Sequence, residues 1–112
     1  FESGLACAPQ ILERFPDADG ILCSSDMTAL SVYKYLAGRG IRVPEEIMLV
    51  GFDGVRLGSL MTPELTTVVQ PAQRMGREAF SMLRELIDGA QPRNLQRMVP
   101  VALKQGETTR PN

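Results

Sequence analysis

Gly20-Ile21-Leu22-Cys23-Ser24 and Ile47-Met48-Leu49-Val50-Gly51-Phe52 are short, continuous apolar runs, and their reading decides the fold. Neither alternates apolar with polar residues as a half-solvated strand would, so both predict strands buried on both faces. Between them Asp26 offers a helix N-cap, and Met27, Leu30, Tyr33 or Lys34, and Ala37 recur at helical spacing along one face. Gly38 and Gly40 end that helix in the left-handed manner that glycine permits, and Val43-Pro44-Glu45-Glu46 makes the turn into the second strand. Residues 20–52 thus form a strand–helix–strand crossover of the length a parallel pair requires.

Upstream, residues 3–15 read as a helix with Leu5, Ile11, Leu12 and Phe15 as its apolar residues. Pro9 either lies in the first turn of a helix that starts near Ala8 or kinks a longer one. Downstream, residues 53–61 are a glycine-containing loop or short helix, and Thr62-Pro63 turns the chain into a third strand at residues 65–69. A long helix runs from Pro71 to about Asp88, with Met75, Ala79, Met82 or Leu83, and Leu86 as a stripe expected in the core. Gly89 closes it, Gln91-Pro92 makes the turn beyond, and residues 98–103 form a last strand that Pro100 pushes towards an edge. The order predicts an α/β fold, a parallel sheet with helices on both faces.

Composition excludes several classes of function. The chain has 112 residues, 44% hydrophobic and 22% charged, which is globular rather than disordered. Its formal charge is −1, and its Lys and Arg are scattered without the basic stripe that neutralises phosphates, so this stretch should not grip DNA by itself. Histidine is absent, which removes Ser-His-Asp and Cys-His nucleophiles, His-ligated metals and the usual general base near neutral pH. No glycine-rich phosphate loop follows a strand. Catalytic residues, metal ligands and cofactors are therefore expected to be none. Cys7 and Cys23 both lie in apolar segments and are expected to be buried thiols of a reducing cytoplasm. No apolar run approaches the ~20 residues that cross a bilayer.

Open parallel sheets bind ligands at the carboxyl ends of their strands. Ser24-Ser25-Asp26 follows the first strand and Asp53 the second, so hydroxyls and a carboxylate meet on one rim if those strands are neighbours. That arrangement suits a polar small molecule. Each residue also has a structural reading: Ser25 shapes the turn before its helix, Asp26 caps the helix, and Asp53 forms a turn before Gly54.

The segments resemble the LacI/GalR-type bacterial transcription regulators. Residues 21–30 look like the stretch where that family carries Asn-Asp and then a helix. Gly40-Ile41-Arg42-Val43-Pro44-Glu45-Glu46-Ile47 running into Val50-Gly51-Phe52-Asp53-Gly54 is a second match, and Thr62-Pro63-Glu64-Leu65-Thr66-Thr67-Val68 with Gln70-Pro71 a third. Gly76, Ala79 and the Glu107-Thr108-Thr109 tail also fit, so the resemblance covers nearly the whole chain in order. It implies a two-lobed, type I periplasmic-binding-protein-like effector domain, of which this chain supplies mostly the C-terminal lobe. The helix after Gln70 would cross to the other lobe, and the strand from Met98 would return. A helix-turn-helix headpiece would precede the whole, binding operator DNA.

The family's binding positions fall on Ser25, where many members have a ligand-contacting Asn, on Asp53, and on the crossover residue Gln70, which otherwise serves as a hinge. Ser in place of Asn at position 25 loses an amide that both donates and accepts, so the effector need not be a familiar sugar. Gly106 stands where the family tail often has the Arg of an anchoring salt bridge. The resemblance further implies a homodimer with Thr28, Val32, Leu57, Leu60 and Met61 at its interface, a sugar-like or purine-like effector, and a cytoplasmic protein that is not an enzyme. The alternative is a periplasmic sugar-binding protein of an ABC transporter, which shares the fold and the Asp53 rim.

Overall fold

The computed structural model describes residues 1–91 and 95–111; the turn expected at Gln91-Pro92 runs outside the described residues. The elements follow the expected order: α1 (Glu2–Arg14), β1 (Gly20–Leu22), α2 (Asp26–Gly38), β2 (Met48–Asp53), a 3₁₀ turn (Arg56–Ser59), β3 (Thr66–Val69), α3 (Ala72–Ile87) and β4 (Ala102–Lys104). They divide into two compact units, one formed by residues 1–69 and 102–111, the other by residues 70–101 as far as they are described.

In the first unit the sheet order is β1-β2-β3-β4. β1 lies parallel to β2 with Leu22 opposite Val50, and β2 parallel to β3 with Asp53 opposite Val69. β4 departs from the all-parallel expectation: it is antiparallel to β3, pairing Val69 with Ala102. It is also shorter than residues 98–103 and begins beyond Pro100, which has no N–H for a ladder.

Helix α2 has two apolar faces, and only one is core. Ala29, Val32 and Leu36 are buried and cluster with Leu49 and Leu65. The face read from sequence through Met27 and Leu30 points elsewhere, with Met27 exposed. Helix α1 runs unbroken through Pro9, so it starts well before Ala8. Its buried residues are the small Gly4 and Ala8 rather than the large apolar ones; Phe15 is exposed. A Cβ at Gly4 would overlap Ser31, so the two helices approach where the side chain is smallest. Gly40 takes the positive φ of 74° beyond α2, whereas Gly38 is still helical.

Cys23 is buried, as expected, but Cys7 is exposed on α1. Burial pushes the Cys23 thiol up to about 11, which keeps it neutral and unreactive. Iodoacetamide applied to the native full-length protein at neutral pH should modify Cys7 and spare Cys23 in peptide maps. Equal labelling of both would contradict the packing of Cys23.

In the second unit no residue of α3 is buried, contrary to the expected core stripe. Met75, Met82, Leu95 and Met98 line an open hollow of about 600 Å³ between α3 and residues 95–99, while Leu83 and Leu86 stay exposed. One helix and one short irregular segment cannot enclose an apolar face. The segment is fastened by Arg97, which bridges Glu78 (2.9 Å) and Glu85 (2.6 Å), two positions seven apart on one side of the helix.

Candidate functional site

The carboxyl ends of β1 and β2 are neighbours, so the loops that follow them share a rim. Leu22, Cys23, Ser24 and Phe52 line an open hollow of about 430 Å³ there. Ser25 is the N-cap of α2: its Oγ accepts from Thr28 N (3.2 Å) and lies 3.0 Å from Thr28 Oγ1. Such caps contribute about 1 kcal/mol. The structural reading of Ser25 therefore holds, and the cap expected at Asp26 sits one residue earlier.

Asp26 instead enters the core, fully buried at 0% exposure. Its Oδ2 accepts from Val55 N at 2.7 Å, and its Oδ1 accepts from the Thr67 hydroxyl on β3. A buried carboxylate is costly unless hydrogen-bonded, and here both oxygens are. Val55 lies two residues beyond Asp53, so this bond draws the loop after β2 against the start of α2. Ser25 and Asp53 are thereby held on adjoining loops.

Asp53 closes β2 with φ 120°, and Gly54 follows with φ 79°. The first is a conformation that side-chain-bearing residues rarely adopt; it persists only where the surroundings enforce it, and such sites cluster where ligands bind. A Cβ on Gly54 would stand 2.9 Å from Val69 Cγ1, so glycine is required on both counts. Gln70 opens the second unit, where its carbonyl accepts from Ala72 N at 2.9 Å.

At the opposite ends of the strands a threonine network anchors the tail. Thr108 Oγ1 donates to Leu49 O (2.6 Å) and accepts from Thr66 N (2.9 Å), while Leu49 N donates to Thr108 O (2.8 Å). Gly106 N donates to Thr66 Oγ1 at 2.9 Å. A Cβ at Gly106 would run into the backbone of Glu64 and Leu65, so the arginine that the resemblance implies at this position has no room. Sequence reasoning missed Asp26, Thr67 and Thr108 as partners. The signal was present: Thr66-Thr67 puts hydroxyls inside a buried strand, where each demands a bond.

A separate apolar groove of about 330 Å³ lies on the outer side of α2, lined by Phe1, Met27, Leu30, Lys34, Leu57, Leu60 and Met61. Leu57 and Leu60 are 49% and 69% exposed. Of the five residues expected at an interface, Val32 is a correction: it is 1% exposed, turned into the core, and offers a partner no surface. Thr28 is half-buried, with its hydroxyl against Ser25.

Residues 3–109 match the periplasmic binding protein-like domain family. The CelR transcriptional regulator of Thermobifida fusca is 36% identical over 89 residues, 80% of this chain and 26% of that protein. A LacI family transcriptional regulator from Arthrobacter sp. FB24, solved in complex with lactose, superposes with a TM-score of 0.84 at 34% identity, over 96% of this chain and 40% of that one. The lac repressor dimer bound to operator gives a TM-score of 0.86 at 29% identity, over 96% of this chain and 37% of that one. The chain thus spans between a quarter and two-fifths of the relatives it matches. It belongs to the periplasmic binding protein-like domain family, and the relatives named above are LacI-type and other transcription regulators. No helix among the described residues is long and apolar enough to cross a membrane.

Proposed function

We propose that this chain is the C-terminal part of the effector-binding and dimerisation domain of a ligand-responsive transcription regulator. The carrying observation is the rim itself: Ser25 and Asp53 on adjoining strand-end loops, with Asp53 held at a positive φ of the kind that clusters at ligand sites. The effector is a polar small molecule, sugar-like or purine-like, bound between two lobes with Gln70 on the crossover. Its binding shifts the balance of lobe arrangements, and with it the fit of a helix-turn-helix headpiece on operator DNA. The protein acts in the cytoplasm as a homodimer and catalyses no reaction. The transporter alternative is not favoured, because the relatives of this stretch are regulators.

A thermal-shift panel of mono- and disaccharides, nucleosides and purines on the full-length protein tests the reading. Duplexes selected by that protein from a random pool supply the DNA. A compound that stabilises the protein and also changes its DNA affinity is the expected result. Stabilisation by a sugar with no DNA selected would favour the transporter. The 112-residue chain alone should select nothing: with scattered basic residues and a formal charge of −1 it lacks the phosphate-neutralising stripe. Sequence-dependent binding by the chain alone, read by fluorescence anisotropy at physiological salt, would overturn the domain assignment.

The apolar groove beside α2 is the dimer face in this reading, formed by Leu57, Leu60 and Met61 with the outer side of α2. Symmetric dimers suit palindromic operators. Leu60→Arg in the full-length protein sets a charge against its own symmetry mate or an apolar neighbour. Sedimentation at micromolar concentration should show monomers where the wild type is dimeric. A dimer of undiminished stability removes the groove from the interface.

A further inference from the structure

We propose that Asp26 is the positioning residue of the effector site, a buried carboxylate that sets the strained turn carrying Asp53. The proposal rests on the reading of Asp53 as an effector contact, and extends it to a residue that no ligand touches.

Asp53 and Gly54, at φ 120° and 79°, are two successive residues with left-handed backbone. Such a turn relaxes unless both its ends are held. Its first end is held by the ladder, where Asp53 pairs with Val69. Its second end is held at Val55, whose N–H donates to Asp26 Oδ2 at 2.7 Å across 29 residues of sequence. The second oxygen of the same carboxylate takes the Thr67 hydroxyl of β3, which fixes the rotamer that presents the first. One side chain therefore ties the turn to two other elements, α2 and β3.

The surrounding residues are shaped around this group. A Cβ at Gly51 would overlap Asp26 Oδ1 and stand 2.9 Å from Leu65 Cδ2. Glycine inside a strand is unfavourable and marks a place where something must come close; here that something is the carboxylate. Burying such a group merely to fill space is a poor use of the position, since an apolar side chain would pack there at lower cost. An acceptor aimed at one backbone N–H does what no apolar residue can. Asp26 also sits in the first turn of α2, where a negative charge is favourable.

Two variants of the full-length protein separate positioning from simple stability. Asp26→Ala removes both acceptors. Asp26→Asn keeps an oxygen for Val55 N, and its amide donates to Thr67 Oγ1, a hydroxyl able to reverse its role. Hydrogen exchange needs no effector. In Asp26→Ala the amides of residues 53–55 should exchange roughly tenfold faster or more, the equivalent of one lost bond of about 1.4 kcal/mol. Leu49 and Val50 should keep their protection, and Asp26→Asn should restore it throughout. Unchanged exchange at residues 53–55 overturns the proposal, and so does an equal loss at Leu49, which would make Asp26 a general support of the sheet.

A binding cycle then uses whichever panel sugar or purine stabilises the wild type, with lactose and cellobiose included. Asp26→Ala should weaken binding roughly tenfold alone and far less in an Asp53→Asn background, since both changes act on one contact. Equal effects in both backgrounds would deny that Asp26 works through Asp53. If Asp53→Asn alone leaves affinity unchanged, the site reading fails instead, while the exchange result still decides whether Asp26 holds the turn.

Discussion

Thr108→Val is expected to destabilise the first unit by about 2–6 kcal/mol, although the two side chains are nearly the same size. The hydroxyl serves two groups at once, donating to Leu49 O and accepting from Thr66 N, and Thr108 itself is fully buried. Removing it leaves a buried carbonyl and a buried N–H without that partner, each costing roughly 1–3 kcal/mol. Both groups lie at the start of the paired region of β2 and β3, so the ladder there should fray first. Thr108→Ser keeps the hydroxyl and loses only a methyl group, a deficit of about 1 kcal/mol. Unfolding of the full-length protein in urea, followed by hydrogen exchange at Thr66, measures the pair. The valine variant should lose far more protection at Thr66 than the serine variant. If the two unfold alike, the tail is held by its backbone bonds, such as Leu49 N to Thr108 O, and the hydroxyl is incidental.

The sheet was legible in the sequence because continuous apolar runs have one physical use in a small α/β chain. Ile21 and Leu22 and residues 48–52 fell where expected, and with them the rim that carries Ser25 and Asp53. Helix faces were less legible. Helix α2 is apolar on two sides, and period alone does not say which side meets the sheet and which forms a groove; Val32, placed at the interface by the resemblance, is in the core, and Met27 is exposed. Contacts made by small residues were invisible to a search for large apolar ones, as with Gly4 and Ala8 on α1. The stripe on α3 has the pattern of a core face and is left uncovered within its unit, because amphipathicity records what a helix is built to bury. Buried polar pairing was the least accessible. Asp26 meets Val55 and Thr67, 29 and 41 residues away; the buried-strand hydroxyl of Thr67 announces that a partner is needed, but nothing local says which. Only the fold brings them together.

The turn those contacts stabilise carries the largest expected effect on function. Asp53→Asn should weaken effector binding roughly 10- to 100-fold, the equivalent of a charge-assisted hydrogen bond of about 1.5–3 kcal/mol. The carboxylate leaves the end of β2, opposite Val69, at the rim where the β1 and β2 loops adjoin. Ionised, it only accepts, and it does so through two oxygens, which suits vicinal sugar hydroxyls or a protonated ring nitrogen. Asparagine preserves the shape while surrendering the charge and one acceptor. It also tolerates positive φ better than most residues, so the strained backbone at 120° should survive the change. Folding and operator affinity of the effector-free protein should therefore stay near wild type, and the loss should appear only in calorimetric titration with the compound the panel returns. Asp53→Gly separates the two demands made on this position: it removes the carboxylate and relieves the backbone, so it should lose affinity at least as severely while unfolding no more readily than wild type. Should the asparagine and glycine variants both bind like wild type, Asp53 is a turn residue and the effector contact lies elsewhere on the rim. Should the glycine variant be markedly more stable, the difference measures the strain that the native residue carries for binding.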